Sequence, residues 1–194
     1  MTLFYMSQNF LTALEDKPFY TLIQRKYSGK VARRSGVSYM NHIREGAFIL
    51  HLLYGDDEEL IAAYCLHPLF QSDTSLAEML TEEAEALSHI SRQVLILAME
   101  YRRVANSYTI KDKVRSPDTI DIGPLDRVHK MLVADKIQNK KDFLKYMYRK
   151  HERASYERVS EHSVQYFDSW LARLGIDDAT YQSIVEQVES SGVT

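Results

Sequence analysis

The chain has 194 residues, enough to bury one full core, and its formal net charge of −3 gives no overall basic field to attract a nucleic-acid backbone. A single cysteine, Cys65, excludes an intramolecular disulfide and argues against a cysteine-rich zinc site. Seven glycines and four prolines are too few for the many turns of a strand-rich fold, so the composition points to an all-α protein with short connections.

Residues 8–26 read as one or two helical pieces, with Pro18 acceptable near a helix start. The opening MTLFYMSQNF has no basic start leading into a long apolar segment, so nothing there reads as a secretory signal. No apolar stretch approaches the roughly 20 residues that cross a bilayer, and the expectation is a cytoplasmic protein with no membrane partner. Tyr27–Ser38 (YSGKVARRSGVS), polar with two glycines, reads as a loop. Tyr39, Ile43, Ala47, Leu50 and Tyr54 then recur at helical spacing, with Gly55 as a stop and Asp56–Asp57 as caps for the next helix. Leu60–Leu66 is apolar nearly all round, as in a central buried helix, and Cys65 packs within it as a small hydrophobe. Pro68 is expected to end or kink that helix, because it lacks an N–H and its ring crowds the preceding turn.

Ser75–Ala86 and His89–Val104 read as two further helices. Residues 107–123 break the periodicity and form a long loop, expected to be mobile, that carries Lys111, Lys113 and Arg115. These cations fit either a phosphate clamp or an ordinary solvated loop. Leu125–Asn139, Phe143–His151, Tyr156–Leu174 and Asp177–Glu189 complete about eight or nine helices, with Gly175 as a stop signal, in a single domain spanning residues 1–194.

Three side chains stand out chemically. His42, His67 and Asp135 each lie in an apolar, helical setting: YMNHI, AAYCLHP and MLVADKI. A carboxylate buried among Leu132, Val133, Ala134 and Ile137 needs a partner, either a metal ion or an arginine. Two readings remain open for the set: a two-histidine, one-carboxylate metal site, or neutral hydrogen-bonded histidines beside an Asp135–arginine pair. Lys136, Lys140, Lys141, Lys145, Arg149 and Lys150, interleaved with Tyr146 and Tyr148, form a basic stretch of the kind that meets single-stranded nucleic acid, a role the negative net charge opposes. Thirteen tyrosines suit amphipathic core edges and leave room for a partner surface or a homo-oligomer contact.

Three blocks, in order, resemble the hydrolase domain of the RelA/SpoT alarmone enzymes, a branch of the HD phosphohydrolases. The first runs from Tyr27 to His42, where Gly29, Arg33, Ser35, Gly36, Tyr39 and His42 match the opening motif and Tyr27, Lys30 and Ser38 depart from it. The second is I61-A-A-Y-C-L-H-P-L-F-Q-S-D-T-S-L76, an apolar run into His67, and the third is K130-M-L-V-A-D-K-I-Q-N-K-K-D142. Together they cover roughly residues 20–175. The resemblance implies an HD-type helical bundle that removes the 3′-pyrophosphate of guanosine tetra- or pentaphosphate with a manganese ion. It implies metal ligands at His42, His67, position 68 and Asp135, a base-stacking arginine at Arg33 or Arg34, and a nucleotide contact at Asn139, while Lys111 belongs to the possible phosphate clamp.

The pattern breaks where the chemistry is densest. Pro68 stands at the expected second aspartate, and Gln71 and Ser72 stand where an acidic pair should activate water. Asp73 is the nearest carboxylate and would have to take over the acid–base role. The expectation is therefore a phosphohydrolase of altered or impaired activity, or alternatively an inactive domain that binds a nucleotide or a protein partner.

Overall fold

The computed structural model describes residues 3–32, 35–148 and 154–193, and of residues 154–159 the backbone alone. Among the described residues the chain is all-α, with ten α-helices and no β-strand beyond one isolated bridge between Val31 and Ser38. The helices are α1 (Leu3–Glu15), α2 (Pro18–Tyr27), α3 (Tyr39–Tyr54), α4 (Glu58–Gln71), α5 (Asp73–Glu82), α6 (Ala84–Ser88), α7 (Arg92–Ser107), α8 (Asp126–Asp142), α9 (Ala154–Arg173) and α10 (Asp178–Ser191). No helix among the described residues is long and apolar enough to cross a membrane.

The helix ends follow local chemistry. Ser38 caps α3 by accepting the Met40 N–H, and Asp57 caps α4 by accepting the Leu60 N–H. Gly55 leaves α3 at φ +76°, in the left-handed region that a side chain enters only at a cost. Helix α4 is the centre of the molecule. Its residues 60–67, 69 and 70 are all buried, and it packs against α7, α3 and α2. Cys65 is fully buried within it, and burial pushes its thiol pKa well up, so it serves as core.

Three expectations need correction. Pro68 does not end the helix, because α4 continues to Gln71 and the break comes at Ser72, which caps α5 through a reciprocal bond with Ser75. The loop expected to be mobile is tied down at several points. Tyr108 and Ile120 are buried, Tyr166 donates its hydroxyl to the Tyr108 carbonyl, and Arg173 Nε donates to the Ile120 carbonyl. The expected helix at Phe143–His151 is a π-helical turn over Phe143–Met147, and His151 lies outside the described residues.

Candidate metal centre

Three helices bring the site together. His42 comes from the first turn of α3, His67 from the buried core of α4, and Asp135 from the middle of α8. His42 Nε2 lies 3.4 Å from His67 Nε2 and 3.5 Å from Asp135 Oδ1, and His67 Nε2 lies 3.8 Å from the same oxygen. A point equidistant from these three atoms is about 2.1 Å from each, the length of a bond from a divalent cation to imidazole nitrogen or carboxylate oxygen. The three form the one cluster of metal-ligand spacing found among the described residues.

The hydrogen bonds behind the rings fix which atoms face the centre. His67 Nδ1 lies 2.5 Å from the Tyr64 carbonyl oxygen, which can only accept, so the proton of the neutral ring sits on Nδ1. His42 Nδ1 lies 2.6 Å from Gln138 Oε1. The orientation of that amide is set by its nitrogen, which donates to Glu45 Oε2 at 3.0 Å and to Asp142 Oδ2 at 2.7 Å. His42 therefore also donates from Nδ1. The Nε2 atoms of the two rings then face one another and a carboxylate oxygen, and that of neutral His67 presents a lone pair. With the proton of each neutral ring on Nδ1, three acceptor atoms would converge, and a cation at their centre would relieve their repulsion.

Electrostatics agree with a pre-formed cation site. Burial depresses the His67 pKa to about 3, helped by His42, so this ring is neutral across the physiological range. Burial alone would raise the Asp135 pKa, but the positive charge around it, that of Lys136 foremost, outweighs burial and holds the carboxyl well below the usual range. Lys136 Nζ donates to Asp135 Oδ2 at 2.9 Å and lies 5.0 Å over the Trp170 ring, while Tyr101 also hydrogen-bonds the carboxylate. Asp135 is thus paired with a lysine and not with the arginine that the sequence left open. Because Lys136 occupies Oδ2, the carboxylate offers Oδ1 alone to the histidines.

The remaining candidates divide. Asn139 Nδ2 donates to Asp135 Oδ1 at 2.8 Å and lines the same cleft, a cavity of about 560 Å³. Arg33 and Arg34 lie outside the described residues, between Ala32 and Ser35, both of which line the cleft. Lys111 is exposed and is not part of the lining, although its neighbour Ile110 is. The structure does not bring Asp73 to the cleft. Its side chain is 96% exposed at the start of α5 and is ion-paired to Arg102. Gln71 is locked to Asn106 by two hydrogen bonds, at 2.6 and 3.1 Å, so the segment expected to carry acids holds an amide clasp followed by a helix cap.

Residues that sequence reasoning missed are Gln138, Tyr101 and the Tyr64 carbonyl, whose roles depend on contacts between helices. The expected basic stretch is not a basic face. Lys136, Lys140 and Lys141 are buried and paired with Asp135, Asp168 and Glu45, and Lys145 is paired with Glu189; Arg149 and Lys150 lie outside the described residues. Comparison with protein families, with curated proteins and with solved structures finds no match for this chain.

Proposed function

We propose that this chain is an HD-type metal-dependent phosphohydrolase acting on a phosphorylated nucleotide, with water activation impaired relative to the full family pattern. The observation that carries the reading is the convergence of two imidazole nitrogens and one carboxylate oxygen at metal-ligand spacing beside a cleft of about 560 Å³, within the range of small-molecule sites. His42, His67 and Asp135 hold the cation. When bound, it supplies Lewis-acid polarisation of a phosphoryl oxygen and acidifies water. Lys136 and Asn139 keep Asp135 ionised and aimed. Tyr39, Phe143 and Tyr166 line the cleft and offer apolar surface for a nucleobase, a role Arg33 or Arg34 would share. Guanosine tetraphosphate as substrate and manganese as metal rest on the sequence resemblance alone.

A second reading, capture of the nucleotide without turnover, is favoured by one feature. Asp73 is ion-paired to Arg102 and is not part of the cleft lining, and Gln71 is held by Asn106, so the segment after His67 places no carboxylate in the cleft. The test is incubation of purified protein with manganese and guanosine tetraphosphate, reading pyrophosphate release and nucleotide affinity, with Asp135→Ala as control. Release that disappears in the control supports hydrolysis. Tight binding without release supports capture, and neither binding nor release defeats both readings.

A further inference from the structure

We propose that Pro68 is a positioning residue for the metal centre: by withholding an N–H from the Tyr64 carbonyl, it leaves that oxygen to His67 Nδ1–H and so aims the His67 Nε2 lone pair at the cation. The inference rests on the metal-site reading above and deepens it.

In a regular α-helix the N–H of residue 68 would bond to the carbonyl of residue 64. Proline has no N–H, yet α4 runs unbroken from Glu58 to Gln71 through this position. The Tyr64 carbonyl is therefore deprived of its helical donor in the most buried part of the molecule, where Tyr64 and Cys65 are 0% exposed. An orphan acceptor there is costly and draws in whatever donor can reach it. His67, three residues on, reaches it with Nδ1 at 2.5 Å. The ring is then pinned at one nitrogen, flanked by Tyr64 and Tyr101 at centroid separations of 4.9 and 4.5 Å, and its other nitrogen faces His42 and Asp135. Pro68 itself lines the cleft. The residue that removes one expected ligand thus strengthens the presentation of another, since the hydrogen bond behind a metal-binding histidine fixes its tautomer and raises its basicity.

Pro68→Ala tests this, because alanine restores the N–H and is the better helix residue. Three readouts are taken: thermal stability without metal, zinc affinity, and the His67 ring nitrogen shifts by NMR in the metal-free protein. The expected result is a higher Tm together with zinc affinity lower by roughly ten-fold, the low end for loss of such a supporting bond. The nitrogen shifts should move from an Nδ1–H tautomer in the wild type toward a mixture. A purely structural role would move Tm alone. Unchanged His67 shifts with unchanged zinc affinity would overturn the proposal while leaving the metal centre standing. Failure of the wild type to bind zinc, with the tautomer shift still present, would instead defeat the metal reading and uphold the link from Pro68 to His67.

Discussion

In the metal-free protein, His67 makes fold stability depend on pH. Burial, assisted by His42, holds its pKa at about 3, against an ordinary value of 6.5. As pH falls below about 6.5, the unfolded chain takes up a proton at this ring and the folded chain does not, so stability is lost steadily until the folded ring protonates near pH 3. Each unit in that window is about 1.4 kcal/mol, so moving from about pH 7 to about pH 5 costs about 2 kcal/mol through His67 alone. His67→Asn retains a donor for the Tyr64 carbonyl and removes the titration. Asp135, held well below the usual carboxylate range, titrates beneath this window. Glu45, pushed up by burial, acts in the opposite sense, but it is common to both proteins and cancels in the comparison. Urea unfolding with chelator at the two pH values should show the wild type losing about 2 kcal/mol more than His67→Asn. Parallel losses in the two proteins would refute a buried, neutral His67.

Three other outcomes follow from the same contacts. Lys136→Met leaves the buried Asp135 carboxylate without its 2.9 Å cation and should destabilise the metal-free protein by about 3–5 kcal/mol. A bound divalent ion should recover part of that loss, so zinc should raise Tm more in the variant than in the wild type; equal rises would contradict the shared electrostatic centre. Gly46→Ala places a methyl group against the hydroxyl and ring of fully buried Tyr64 and should cost about 1–3 kcal/mol in a thermal melt, whereas an unchanged Tm would show that the core yields there. Two imidazoles with a single carboxylate favour zinc over manganese, so competition dialysis should leave zinc bound. Preferential retention of manganese would mean that further oxygen ligands complete the site.

Much of this could be read from the sequence where the cause is local. Gly55 ends α3 through backbone freedom and Asp57 begins α4 through its own side chain, and the apolar run at 60–66 announced a helix buried on every side. His42, His67 and Asp135 were identifiable because polar groups in apolar helices need partners. Features set by distant residues were not legible. The lysines of α8 and of the π-helical turn after it looked like a basic face, but Glu45, Asp168 and Glu189 come from other helices to pair with Lys141, Lys140 and Lys145. Pro68 looked like a residue that ends or kinks a helix, and its place inside α4 is understood only once His67 Nδ1 is seen on the freed carbonyl. Asp73 looked available as a catalytic acid because its distance from the cleft is fixed by the Ser72 cap and by Arg102, neither of which sequence spacing reveals.

The central claim is a divalent cation at His42, His67 and Asp135, and its most direct test is metal stoichiometry by mass spectrometry after zinc loading and dialysis. About one ion per chain is expected in the wild type and none above background in His42→Ala or Asp135→Ala, both still helical by circular dichroism. A wild type that retains no metal, or variants that retain as much as the wild type, would contradict it.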